Sequence, residues 1–166
     1  MIYSLKSYPT TLGQRADHMS KFIDNSSWSL AIDEYDRVTA LFARRDPYGR
    51  HPIIDMAADR NNAKTEMFVS RLFEPSTPTR VCVGVDMLSL GEFFASRSSG
   101  QNSRHPALLY CNPPFVIMGR VIAFIDRFKL DVLLIYPQWP RPWLNAIEAH
   151  PARVGPPDRL TDFRQL

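Results

Sequence analysis

Residues 107–136 read ALLYCNPPFVIMGRVIAFIDRFKLDVLLIY. Two near-continuous apolar runs, Ala107–Cys111 and Val132–Tyr136, bracket a segment in which Ile117, Val121, Ile122, Ile125 and Phe128 recur at helical spacing. Strand-sized runs with no polar alternation belong to sheets covered on both faces, and such sheets are mostly parallel. The unit therefore predicts strand, helix and parallel strand, which places the chain in the α/β class.

Working outward, the same rhythm recurs. Pro52-Ile53-Ile54-Asp55-Met56-Ala57 and Val81-Cys82-Val83-Gly84-Val85-Asp86 are two further apolar strands with an acid at or near the end. The pattern 61–70 reads as helical between them, and 96–105 (SRSSGQNSRH) as a polar loop. Upstream, Ile32, Tyr35, Val38, Leu41 and Phe42 predict a helix over 29–45. Ser29 is its cap, Asp33 and Glu34 lie early, and Arg44 and Arg45 close it. Asp46-Pro47-Tyr48-Gly49 stops it. A short helix is expected over 11–24. The four strands predict a Rossmann-like, mostly parallel but reduced sheet at 28–145, an N-terminal helical arm at 1–27 and a Pro-rich tail at 146–166. With 14 prolines, clustered late, against 7 glycines, the C-terminal third is expected to be extended and loop-rich.

Composition bounds the function classes. The 166 residues suit one domain able to bury a core without staples. Twenty basic and 17 acidic residues give a net charge of +3 without a polybasic block, which permits nucleic-acid binding without arguing for it. Cys82 and Cys111 lie in apolar runs and form no metal-ligand spacing, so both are read as buried thiols in a reducing compartment, nuclear or cytoplasmic. No metal is expected, and no apolar run is long enough to cross a bilayer. Residues 1–16 lack acids and are compatible with a mitochondrial transit peptide as well as with an ordinary polar arm.

The sharpest chemical signal is Asn112-Pro113-Pro114-Phe115, directly after a strand. Two prolines stiffen the loop and remove two N–H donors, so its carbonyls face outward as acceptors. The Asn112 oxygen and the Pro113 carbonyl can both accept from an exocyclic amino group and expose its nitrogen lone pair. Phe115 offers a face for stacking a base rotated out of its helix. The plainer alternative is a rigid strand-to-helix turn with Phe115 in the core. Trp139 and Trp143, in the aromatic-proline stretch 136–143, are expected to pack over the sheet edge rather than bind a partner.

From residue 52 onward the chain resembles the phage-type adenine methyltransferases, through Asp55-Met56-Ala57-Ala58, Asn62-Ala63-Lys64 and Tyr110-Cys111-Asn112-Pro113-Pro114-Phe115. It is also similar, over 16–145, to the methyltransferase-like domain behind the reverse transcriptase and ribonuclease H of DIRS-type tyrosine-recombinase retroelements. That longer resemblance rests on Ala16-Asp17-His18-Met19-Ser20-Lys21, Trp28-Ser29-Leu30, residues 54–62, Phe68-Val69-Ser70 and Asp86-Met87-Leu88. It continues through the Asn-Pro-Pro-Phe string, Arg120-Val121-Ile122, Pro137-Gln138-Trp139-Pro140 and Trp143.

The resemblance implies a class I methyltransferase-like fold and S-adenosylmethionine as cofactor. Asp55 and Ala57 would lie at its methionine part and Asp86 at its ribose or adenine. Asn112, Pro113, Pro114 and Phe115 would handle an adenine amino group in DNA or RNA. Two departures stand out. The loop after Asp55 has no glycine, where cofactor loops usually need one for close backbone approach, and four strands are read where the full fold has about seven. The alternative is therefore a catalytically inactive descendant kept as a nucleic-acid-binding or structural subunit of a larger ribonucleoprotein assembly. A generic Rossmann-like nucleotide binder fits less well, because no Gly-rich phosphate loop is present.

Overall fold

The computed structural model describes residues 2–7, 30–44, 46–98, 107–137, 141–149 and 158–160. Its strands are β1 (Ile2–Ser7), β2 (Ile54–Asp55), β3 (Met67–Ser70), β4 (Val81–Val85), β5 (Leu109–Cys111), β6 (Val132–Pro137) and β7 (Asp158–Leu160). They form one sheet in the order β4-β3-β2-β5-β6-β1-β7, and every pairing is parallel. Counted from β2, the run β4-β3-β2-β5-β6 has the 3-2-1-4-5 order of a Rossmann-like sheet. The α/β, parallel reading of the sequence is what the structure shows.

The helices are α1 (Ile32–Ala43), α2 (Gly91–Ser98), α3 (Met118–Phe128) and α4 (Pro142–Glu148), with 3-10 turns at Met87–Ser89 and Phe115–Ile117. α1 turns Tyr35, Val38, Thr39 and Phe42 inward, the i, i+3, i+4, i+7 stripe of an amphipathic helix. With Leu30, this stripe packs on Leu108, Tyr110, Leu133 and Ile135 across one face of β5 and β6. α3 buries Met118, Val121, Ile122, Phe124 and Ile125 against Leu109, Cys111, Val132, Leu134 and Tyr136 on the other face. Covering both faces is what lets these strands be apolar throughout.

Several sequence expectations need correction. Residues 61–70 are not a helix: turns lead into β3 at Met67. The Asp59 carboxylate accepts from the amides of Asn61 (2.8 Å) and Asn62 (3.1 Å), while the Asn62 side chain accepts from the Asp59 amide (2.8 Å). These local bonds offer the backbone an alternative to helical pairing. Among the described residues the sheet has seven strands rather than four, since β3 falls in the stretch expected to be helical, and β1 and β7 are short and mixed in character. β1 lies in the stretch read as an arm, and β7 in the stretch read as a tail. The late prolines do not prevent α4, since Pro142 sits in its first turn, where a missing N–H costs nothing. Ser96–Ser98 end α2 rather than begin a loop. α1 is capped at Ala31 with no side-chain bond, and Ile32 is exposed. Cys111 is buried, but Cys82 is only half-buried. Ser29, Arg45, the segment 11–24 and residues 138–140 with Trp139 lie outside the described residues.

The stop after α1 is held by charge. The Asp46 carboxylate accepts from the Tyr48 and Arg50 amides (3.1 and 3.0 Å) and from the Arg50 guanidinium (2.8 Å), which also reaches Asp131 beside β6 (2.7 Å). Burial alone would raise the Asp46 carboxyl, but these bonds outweigh it and hold it below its usual range. Its contribution to stability is therefore complete above the unfolded value, about pH 4, and is lost as pH falls through the lower folded value.

Two tests follow from this packing. Arg50→Met leaves the Asp46 carboxylate buried without its counter-ion and should cost about 3–5 kcal/mol in urea unfolding. A Cβ on Gly91 would lie 2.1 Å from the Phe128 ring, whereas one on Gly119 meets nothing within 4 Å. Gly91→Ala should lower the melting temperature through overpacking of about 1–3 kcal/mol. Gly119→Ala, inside α3, should raise it by up to about 1 kcal/mol.

Candidate functional site

In an open parallel sheet the connections leave a crevice where the strand order reverses, outside the carboxyl ends. Here the chain runs from β2 outward to β3 and β4, and from β5 the other way to β6, so the crevice lies between β2 and β5. Asp55 stands in register with Tyr110, and the Met56 amide donates to the Tyr110 carbonyl at 2.9 Å. The segments Asp55–Ala57 and Cys111–Asn112 therefore leave the sheet side by side.

On the β5 side, Asn112 is half-buried, Pro113 buried, and Pro114 and Phe115 half-buried. Pro114 holds φ −53°, ψ 135°, and its carbonyl accepts from the Ile117 amide (3.1 Å), starting the turn that feeds α3. Phe115 packs part of its ring against the core cluster, while its neighbour Val116 is 77% exposed. The loop is a rigid strand-to-helix joint, with Asn112 at its base.

On the β2 side, the Asp55 carboxylate is 2% exposed and turns into its own loop. Oδ1 accepts from the Ala57 amide (3.3 Å) and Oδ2 from the Lys64 amide (3.0 Å). Burial pushes its carboxyl up to about 6, against the pull of those two amides and the charges of Lys64 and Arg80. Ala57 is half-buried and contributes its N–H to Asp55 rather than outward. Residues 56–66 cross to β3 without a helix, and Ala58 and Ala63 pack onto Phe68.

Asp86 is not beside Asp55: β3 lies between their strands. It holds φ 54°, unusual for a residue with a Cβ. Its amide donates to the Ser70 carbonyl (2.9 Å), and its Oδ1 accepts from the Leu88 amide (3.2 Å), capping the following turn. The Ser70–Glu74 pair at the end of β3 lies nearer the crevice, and no sequence signal marks it, because a serine and a glutamate four residues apart constrain no backbone. There the Glu74 carboxylate accepts from the Ser70 hydroxyl (2.8 Å) and the Arg60 amide (3.1 Å).

Burial also silences two reactive groups. The Cys111 thiol is pushed well above its usual range by burial and by the Asp55 charge, so it is no nucleophile. Tyr35 is pushed up to about 12 by burial, then by Asp55 and Asp36, and packs edge-on to Tyr110 at 5.0 Å. Among the described residues the Tyr110 and Tyr136 hydroxyls are buried and meet no hydrogen-bond partner. Trp143 packs on the core, edge-on to Tyr136 at 6.1 Å. Among the described residues no group of three His, Cys, Asp or Glu side chains is placed to hold a metal ion, and no helix is long and apolar enough to cross a membrane.

The donor set fits an adenosyl-type cofactor only in part. Asp86 Oδ2 is left to accept from a hydroxyl or amino group, but both Asp55 oxygens are already engaged.

The Asp55 proton gives a direct test of this geometry. The folded carboxyl keeps its proton up to about pH 6, whereas the unfolded one releases it near pH 4. Folding therefore takes up a proton between those values, and stability falls as pH rises from about 4 to 6. Asp55→Asn should flatten that slope in unfolding curves measured across the window, and an unchanged slope would count against the buried placement.

No family model, no curated protein and no solved structure matches the chain.

Proposed function

We propose that the chain is an S-adenosylmethionine-dependent methyltransferase-type domain acting on the amino group of adenine in a nucleic acid. The observation that carries this reading is the position of Asn112-Pro113-Pro114-Phe115, which leaves β5 at the β2–β5 crevice in a rigid joint. A base flipped into that crevice would meet the Asn112 side-chain oxygen and the Pro113 carbonyl as acceptors for its amino hydrogens. Drawing both hydrogens out of the ring plane would pyramidalise the nitrogen and localise its lone pair toward the incoming carbon. The bound cofactor supplies an electrophilic methyl group. Asn112 and Pro113 would hold the amino nitrogen toward that methyl group, and an amino proton would pass to solvent. The protein's part is orientation, the largest effect available without acid–base groups.

A second reading has its own observation. The Asp55 carboxylate is consumed by its own loop, which leaves the β2 end without the free acid that cofactor binding there would use. On that reading the domain is a non-catalytic descendant that binds nucleic acid or serves as a structural subunit in a larger assembly.

Calorimetric titration with S-adenosylmethionine, followed by transfer of labelled methyl to adenine-containing DNA and RNA, separates the two. The enzyme reading expects saturable cofactor binding and transfer that Asn112→Ala lowers by about 100-fold at unchanged cofactor affinity. A folded sample that binds oligonucleotides but not the cofactor would establish the second reading instead.

A further inference from the structure

An open cavity of about 540 Å³ is lined by Lys64, Thr65, Glu66, Pro78, Thr79 and Arg80. It lies where β3 and β4 begin, at the opposite end of the sheet from Asn112 and Asp86. Its walls are the last residues of the two helix-free crossovers, 56–66 and 71–80. The second is closed by a tight turn in which the Thr77 amide donates to the Arg80 carbonyl at 2.7 Å.

Two cations converge on this cavity. Lys64 is half-buried, and its ammonium is pushed below its usual range by burial and by the Arg80 charge, with Asp55 pulling the other way. The Lys64 amide is engaged by Asp55, but its ammonium forms no hydrogen bond or ion pair with any described residue. Arg80 directs one N–H at the Thr65 carbonyl (2.7 Å), and the rest of its five donors are unused among the described residues. Glu66 is exposed and bridges to neither cation. The one nearby buried carboxylate, Asp55, is already engaged by two amides.

Two neighbouring cations repel each other, and the repulsion is strongest where water is partly excluded. An anion between them reverses its sign. We propose that this cavity is a phosphate-binding site, in which a phosphate group is held between the Lys64 ammonium and the Arg80 guanidinium. A phosphate offers three or more acceptor oxygens to the unused donors of Lys64 and Arg80, where a carboxylate offers two. The guanidinium fork matches its geometry, and lysine serves as a point charge beside it. The volume lies in the range of small-ligand sites and accommodates a phosphate that carries a substituent. The proposal does not rest on methyl transfer, although the Lys64 amide is bonded to Asp55.

The test follows backbone amide signals by NMR during titration with pyrophosphate, and separately with a six-nucleotide thymidine single strand, at constant ionic strength. Saturable shifts confined to the amides of residues 64–66, 79 and 80 are expected. Lys64→Met should weaken binding by about tenfold or more, while Lys64→Arg should restore most of it. Lys64→Met keeps the aliphatic stem and the amide that holds Asp55, so the fold is preserved. Tighter binding of the oligonucleotide than of pyrophosphate, lost in Lys64→Met, identifies a phosphodiester backbone as the source. Binding of pyrophosphate alone identifies a free or terminal phosphate. Shifts that fail to saturate, or equal affinity in Lys64→Met, would overturn the proposal.

Discussion

The Asp55 carboxylate is the constraint on which half of the sheet depends. Parallel strands need a crossover long enough to return to the starting edge, and a helix usually supplies it. Between β2 and β3 residues 56–66 cross without one. A bare loop over a sheet face leaves backbone amides to be satisfied. Asp55 takes two of them, from Ala57 and Lys64, and so ties the first and last parts of the loop to the end of β2. Asp59, Asn62 and Glu74 take others. Burying a carboxylate is expensive, and the raised pKa of Asp55 is the visible sign of that cost.

The two halves of the sheet are built on different physics. β5 and β6 are held by helices on both faces, through interdigitated aliphatic side chains with Tyr110 and Tyr136 fully buried. β2, β3 and β4 are held on the Asp55 side by polar loops over a small apolar patch of Ala58, Ala63 and Phe68. Both halves share the apolar core that takes in Ile54, Val69 and Phe94, and the second adds inward-pointing hydrogen bonds on the Asp55 side. The crevice lies on the boundary between them.

Strands of both halves were legible in the sequence, β2 and β4 as well as β5 and β6, whereas β3, β1, β7 and the polar turns of 56–66 were not. α1 and α3 announce themselves because Tyr35, Val38 and Phe42, or Val121, Ile122 and Ile125, recur at the helical period. β5 and β6 do so because a doubly covered strand has no polar residue to interrupt it. β3 escaped because Met67-Phe68-Val69-Ser70 is as short as one helical turn and follows Asn61 and Asn62, so period alone could not separate strand from helix. β1, reading IYSLKS, and β7, reading DRL, are too short and too mixed to register. Their pairing is set by neighbours far away in sequence. The Asn112–Phe115 joint was legible because its residue types constrain the backbone wherever they occur. The Ser70–Glu74 pair was not, since a serine and a glutamate four residues apart carry no such constraint.

This asymmetry bears on how the domain could act. In a Rossmann-like sheet, the strand that opens the order and the two beyond it carry the half where a nucleotide-type ligand approaches backbone closely, which is why that loop is usually rich in glycine. Here that half has no glycine in its first loop, and its first acid is turned inward. The other half keeps a stiff joint at Asn112–Phe115, braced by the Ile117 amide and by α3. A site that orients a base needs fixed acceptors on a rigid element, and that half provides them. On the proposed reading, binding of a flipped base and binding of a cofactor would therefore be separable. Loss of the second would spare much of the first, because Asn112, Pro113 and Phe115 follow β5 and lead into α3, and meet the Asp55 segment through the Met56–Tyr110 bond.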